Sequence, residues 1–293
     1  MKRQGAITKY GFFNLDKPSG LTSSTLVNKC KWLSGVPCGH MGTLDPLASG
    51  VLPVGVGRAT RLFDYFLDKE KIYIAEFTFG ESSETLDTTV PTIKGGRIPS
   101  RQEIVQVLPE LCGDILQIPP KYSAKNVNGR RGYDLARAGI EFELAPKKVR
   151  IESVQLLGVG ERENAYQFQI VCGGGTYIRS IARDMAEMLG TNAVMSALRR
   201  TKSGCFEIQN AVDFALFEQD PDIAELEKWL IPTESVLPFP ILTLSTDKAE
   251  KLFCGASVSV DEQDGLYKIY KDDAFYGIAQ VQAGIAKVKT KLC

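Results

Sequence analysis

The residues most able to do chemistry in this chain stand together in 39-GHMGTLDPLASGVL-52. His40, the only histidine among 293 residues, precedes Asp45 by five positions. An isolated Leu-Asp-Pro is usually an ordinary turn. The surroundings of this one argue for more. Gly39 and Gly42 let backbone approach a ligand, and Pro46 stiffens the chain just after the aspartate. A carboxylate held in so constrained a loop has the build of a nucleophile or a general base.

Other chemistries lack their parts. There is no second histidine and no G-x-S-x-G, so no hydrolase triad can be assembled. The turn 173-GGG-175 lacks a Walker lysine and is not G-x-G-x-x-G, so a nucleotide cofactor is not expected. The seven cysteines form no C-x-x-C pair, which disfavours a zinc site, a metal hydrolase and a disulfide framework. Scattered free thiols fit a reducing cytoplasm. Tyr73 on a strand face and Arg179 near a helix start read, one at a time, as core packing and surface charge.

The elements that must position Asp45 follow from periodicity. Strands are expected at 12–16, 51–57, 71–80, 165–172 and 205–209. In 71–80, Tyr73, Ala75, Phe77 and Phe79 share one face. Helices are expected at 23–33, 59–67, 100–111 (opened by the Ser100/Glu103 capping box) and 176–190. A short helix stops at Gly139. Prolines in 232–240 mark a linker, and 241–293 reads as a small all-β domain with strands at 257–260, 266–271, 274–282 and 285–289.

With 44% hydrophobic and 24% charged residues, the composition is that of a globular protein with a substantial core. The N-terminus is not a secretory signal, and no apolar run reaches bilayer length. Charges balance at 35 against 35, so any nucleic-acid surface must be local. Residues 121–150 are such a place, with eight basic residues against three acids, and 199-RRTK-202 is a second basic cluster.

As an ordered set, six segments resemble the bacterial tRNA pseudouridine synthases of the TruB type. They are 11-GFFNLDKPSGLTS-23, 39-GHMGTLDPLASGVLPVGVGRATR-61, 71-KIYIAEFTFGESSETLD-87, 119-PPKYSA-124 with 129-GRRGYDLAR-137, 175-GTYIRSIARD-184 and 198-LRRTKSGCF-206. The chain departs from the family pattern at Asn126 and at Gly173-Gly174, where members usually carry a lysine and Ser-Lys.

The resemblance implies an α+β fold: a mixed, mostly antiparallel sheet with flanking helices, the pseudouridine synthase fold, plus a small PUA-like C-terminal β domain. The catalytic domain would span 1–235, with an RNA-binding insertion around 91–150, and the second RNA-binding domain 241–293. It implies isomerisation of the uridine at position 55 in the T loop of tRNA. The enzyme would act as a cytoplasmic monomer, with no cofactor, metal, membrane or protein partner. On a flipped-out uridine, Asp45 would act as a nucleophile at C1′ or take a proton from C2′, Arg179 would pair with it through its two-point fork, and Tyr73 would border the uracil and assist removal of the C5 proton. Tyr177 and Leu198 would line the pocket. His40, Lys17, Arg130 and Arg131 would contact the RNA. Two rival readings are a guide-dependent synthase and an RNA-folding protein whose isomerase activity is secondary.

Overall fold

The computed structural model describes residues 5–123, 125–127 and 129–292. Residues 1–4 of the N-terminal reading, Ala124 of the Ser-Ala motif, Cys293 and the side chain of Arg131 lie outside the described structure.

A mixed sheet of eleven strands forms the body. Its main path runs Val212–Asp213, Gly11–Lys17, Ser49–Val56, Ala193–Ser203, Lys71–Phe79, Ala165–Cys172, Lys147–Val159 and Gly113–Gln117. Neighbours along it are antiparallel except at two seams, Val212–Asp213 with Gly11–Lys17 and Ala193–Ser203 with Ser49–Val56. The alternation of Lys71–Phe79 puts Tyr73, Ala75, Phe77 and Phe79 on one buried face. That face shares a core with Ile178, Ile181, Ala182 and Met185 of the helix Ile178–Met188. The helix Ser23–Ser34 starts at Thr22, whose hydroxyl accepts from the Thr25 N–H, and stops at Gly35 in the left-handed region. The Ser100/Glu103 capping box closes in both directions.

The second seam positions the site. It joins only Arg199 to Ser49 and Arg200 to Gly50. Gly50 sits at φ +98°, and a Cβ there would collide with the Arg200 carbonyl, so a glycine lets the two strands touch. Immediately before Ser49 the chain leaves the sheet as the loop 41–48, which carries Asp45.

Several expectations need correction. The basic cluster 199–202 lies inside the long strand Ala193–Ser203, and the segment Lys147–Val159 is also a strand that periodicity missed. Both carry register shifts that break the period-two pattern. Residues 59–67 wind as a 3₁₀ turn, Gly57–Leu62, and then a single helical turn, Asp64–Leu67. The strand expected at 205–209 is only Phe206–Glu207. Within the insertion expected at 91–150, Ile104, Leu108 and Leu111 belong to the main core, and Gly113–Gln117 is a strand of the sheet. Between Gln117 and Lys147 the chain makes an excursion outside the sheet, though its Ile118 and Tyr122 carbonyls still accept from the helix Ile178–Met188.

The C-terminal unit is not all β. A helix, Thr246–Phe253, accompanies an antiparallel sheet ordered Val258–Ser259, Ile285–Lys291, Ala274–Gln282, Gly265–Lys271. It docks on the body through Ile278 and Leu292, which share a cluster with Phe12, Phe66 and Phe206. The Tyr65 and Thr290 hydroxyls meet at 2.8 Å across the same junction. No helix among the described residues is long and apolar enough to cross a membrane.

Candidate active site

The loop 41–48 is fastened at nearly every residue. Ser23, from the first turn of its helix, donates to the Leu44 carbonyl at 2.8 Å and accepts from the Leu44 N–H at 2.9 Å. The Ser19 hydroxyl donates to the Leu47 carbonyl at 2.7 Å, and the Gly20 N–H to the Pro46 carbonyl at 2.8 Å. The Ala48 N–H closes a turn onto the Asp45 carbonyl at 3.0 Å. Lys17 is 0% exposed, and its ammonium donates to the carbonyls of Pro18, Pro46 and Ala48 at 2.9, 3.3 and 2.6 Å. Lys17 is therefore a brace beneath the loop and not an RNA contact, because its donors are directed into backbone carbonyls.

The Asp45 side chain, 35% exposed, opens onto a cavity of about 310 Å³. Tyr73, Tyr177, Arg179 and Leu198 line the same cavity, so the structure brings these five expected residues together. Arg179 comes from the first turn of the helix Ile178–Met188 and is 5% exposed. Its Nε lies 2.9 Å from Asp45 Oδ2. One terminal nitrogen donates to the Thr85 carbonyl at 2.9 Å and lies 3.5 Å from Asp87 Oδ2, and the other donates to the Tyr122 carbonyl at 3.0 Å. The expected two-point fork on Asp45 is thus corrected to one contact, with the remaining donors spread over three other groups. Arg183, one turn on, points elsewhere and pairs with Asp184 at 2.6 Å.

The electrostatics follow from burial. Desolvation raises the Asp45 carboxyl above the usual carboxylate range, and Asp87 adds to this, while the Arg179 charge and hydrogen bond oppose it. Burial also raises the Tyr73 phenol, against the pull of Arg200. Burial lowers Lys17 and Lys71 to about 8 each.

Two expected contacts do not line the cavity. His40 is half-buried on the short strand Cys38–His40, and its Nδ1 is buried without a hydrogen-bond partner among the described residues. Burial and the Arg200 charge hold its imidazole below its ordinary pKa. Arg130 is exposed on the hairpin formed by Asn126–Val127 and Arg130–Arg131, within the excursion from the body. Of the basic cluster, Arg200 is 1% exposed, and Arg199 makes two bonds to the Asp16 carboxylate at 3.2 and 2.7 Å, so 199–202 is not a free basic patch.

Sequence reasoning passed over Asp87, Gln117 and Lys71, and took Arg200 only as part of the basic cluster 199–202. Gln117 copies a backbone pairing with its amide: its Nε2 donates to the Tyr177 carbonyl at 3.2 Å, and its Oε1 accepts from the Tyr177 N–H at 2.8 Å. This fixes the entry to the helix that delivers Arg179. The signal available for Asp87 was its place at the end of the matching segment 71–87. Among the described residues, no group of three or more His, Cys, Asp or Glu side chains is gathered where it could hold a metal ion.

Comparison with known proteins bears on this geometry. Residues 31–178 match the family model of the TruB family pseudouridylate synthase (N terminal domain), and residues 179–238 that of the tRNA pseudouridylate synthase B C-terminal domain. The chain is 39% identical over 292 residues to tRNA pseudouridine synthase B of Anaplasma marginale, covering 97% of this chain and 95% of that one. It is 35% identical over 291 residues to the Aquifex aeolicus protein of the same name, covering 96% and 99%. Among solved structures, a chain of a Cbf5–Nop10–Gar1 complex superposes with a TM-score of 0.70 at 24% identity, covering 97% of this chain and 85% of that one. That likeness bears out the mixed-sheet fold. The two family models and the relatives aligned over almost their whole length show that the chain belongs to the TruB family of tRNA pseudouridine synthases, which isomerise uridine to pseudouridine in tRNA.

Proposed function

We propose that this enzyme isomerises the uridine at position 55 in the T loop of tRNA, acting alone and without a cofactor on a nucleotide flipped out of the RNA stack. The observation that carries the reading is the Asp45 carboxylate, fastened by its loop and by Arg179 at the wall of a cavity of about 310 Å³. That volume is at the small end of ligand sites, about 300–1,000 Å³, and suits one base. A base inside a folded RNA can reach Asp45 only by leaving its stack, at a cost of a few kcal/mol that contacts in the cavity must offset.

The isomerisation cuts C1′–N1 and rejoins the uracil through C5. No group is imported and nothing is oxidised. The sugar becomes electron-poor at C1′, as in glycoside cleavage. Asp45 either attacks C1′ or removes a proton from C2′, and both routes need its ionised form. Tyr73 borders the uracil and assists loss of the C5 proton. Tyr177 and Leu198 hold the base between apolar surfaces. Identity of 35–39% to TruB relatives, against 24% to the chain from the multiprotein complex, favours an enzyme that works without protein partners. Incubation of the purified enzyme with unmodified tRNA transcript, followed by pseudouridine mapping, tests the reading. One new pseudouridine at position 55 is expected, and product only at other uridines overturns the assignment.

A further inference from the structure

The cations around the cavity outnumber the anions. Among the described residues, Arg179, Arg200 and Lys71 line it and Lys17 lies beneath its loop, while the carboxylates there, Asp45 and Asp87, both face Arg179. Arg200 is 1% exposed and forms no ion pair among the described residues. Its Nε donates to the Val51 carbonyl at 2.7 Å and a terminal nitrogen to the Gly42 carbonyl at 3.0 Å. A guanidinium has five N–H donors, so these two bonds and the one it makes to the Tyr73 hydroxyl still leave capacity unused. A buried charge without an anion is costly. Arg200 is also the cross-strand partner of Tyr73, which sets the two side chains on one face of the sheet. The Lys71 ammonium, spending two donors on the Leu67 and Lys69 carbonyls at 3.0 and 2.9 Å, has one left.

The reaction supplies the missing anion. When C1′–N1 breaks, the electron pair of that bond stays on the uracil, shared among N1, O2 and O4. Asp45 becomes neutral in the same step, either by bonding to C1′ or by taking the C2′ proton. One negative charge therefore leaves the neighbourhood of Arg179 and arrives on the base. We propose that Arg200, with Lys71 beside it, is the electrophile that receives this charge by donating to a uracil oxygen while the ring is detached. When C5 then bonds to C1′ the pair is used, Asp45 becomes a carboxylate again, by leaving C1′ or by returning its proton to C2′, and the C5 proton moves to N1 through solvent or Tyr73. This rests on the proposed role of Asp45. Donors preset where charge develops act on the transition state more than on the bound substrate.

The test uses the leaving group. Fluorine at C5 withdraws electrons and makes the uracil anion less basic, so it needs less help. Single-turnover loss of the target nucleoside is measured on tRNA carrying uridine or 5-fluorouridine at that position, with wild type, Arg200→Met and Arg200→Lys. Arg200→Met is expected to slow the uridine substrate by about a hundredfold. It should slow the 5-fluorouridine substrate by a factor at least about tenfold smaller, and Arg200→Lys should recover part of both losses. Each ratio is taken within one protein, so incomplete folding cancels. Should Arg200→Met not fold, the ratio for Arg200→Lys must still exceed that of wild type. Equal slowing of both substrates overturns the proposal and leaves Arg200 as a brace for Gly42 and Val51. A wild type that converts neither substrate is a different result: it overturns the reading of Asp45, and this proposal with it.

Discussion

Arg179 touches Asp45 through a single nitrogen, its Nε, at 2.9 Å from Oδ2. The other two nitrogens of the guanidinium are committed to Thr85, Asp87 and Tyr122. The plane of the group is thus set by three contacts that do not include Asp45. Arg179→Lys keeps the charge and loses that plane. The carboxylate should then lose its aim, at a cost of about a hundredfold in single-turnover rate. Affinity for tRNA, measured by filter binding, should change far less. An equal loss in rate and affinity would make Arg179 an RNA-contacting charge.

Asp45→Asn should abolish product without loosening the fold. The carboxyl is held above its ordinary range, so the folded chain binds its proton more tightly than the unfolded chain does. Its ionisation therefore costs stability once pH exceeds the unfolded pKa, and below that value the cost vanishes. Asparagine removes the cost and keeps the shape, and Arg179 retains Asp87. The melting midpoint at pH 7 should be no lower than that of wild type, with tRNA still bound. Measurable pseudouridine from the mutant in a single-turnover assay would sink the assignment.

The rate should depend on pH from both sides. On the acid side it falls as Asp45 takes a proton, above the usual carboxylate range. On the basic side Lys17 and Lys71 lose theirs near pH 8. A neutral Lys17 amine has two hydrogens for the three carbonyls of Pro18, Pro46 and Ala48, so the loop slackens. Stability moves the other way. Between about 8 and 10.5 the unfolded lysine is charged and the folded one neutral, so this group favours folding more as pH rises. A fall in rate from pH 7 to 9 without a matching fall in melting midpoint is the expected signature. A flat rate across that range contradicts it.

How much of this was legible in the residues differs between the loop and its supports. Asp45 and its glycines announce a constrained carboxylate locally, because turn chemistry is local. Lys17 and Arg200 carry no such signal. Each reads as a surface cation until the fold brings the carbonyls of Ala48, or of Gly42 and Val51, against it from distant parts of the chain. The strand Ala193–Ser203 was hidden for a related reason. Its bulges between Met195 and Ala197 and between Arg200 and Lys202 break the alternation, and two of its arginines are adjacent. The helix Thr246–Phe253 is too short to establish a period beside the strands of its own domain.

RNA binding should be strongly salt-dependent despite the neutral total charge, with the dependence centred on residues 121–150. Log affinity should fall linearly with log salt, by about 0.7–0.9 in slope for each phosphate neutralised. Neutralising Arg130 and Arg131 together should then reduce the slope by about 1.5. Arg199 and Arg200 should add nothing to it, since one is paired with Asp16 and the other is buried. An unchanged slope in the Arg130/Arg131 variant, measured from low to moderate salt, would remove the excursion from the RNA interface.

The two glycines that depart from the family pattern should behave oppositely when given side chains. A Cβ on Gly173 meets nothing closer than the Arg150 carbonyl oxygen at 3.7 Å, an ordinary contact. A Cβ on Gly174 collides with the carbonyl oxygen of Leu67, which is backbone and cannot swing away. Leu67 lines the cavity, and its carbonyl holds the Lys71 ammonium at 3.0 Å. Gly174→Ala should therefore push the wall of the site as well as strain the turn before Arg179. A cost of about 1–3 kcal/mol in stability is expected, with a loss of rate beyond that. Gly173→Ser should stay within about 0.5 kcal/mol of wild type. Denaturant melts and single-turnover rates of the two variants measure this. If Gly174→Ala is as stable and as fast as Gly173→Ser, the packing of the glycine turn against Leu67 does not set the cavity wall.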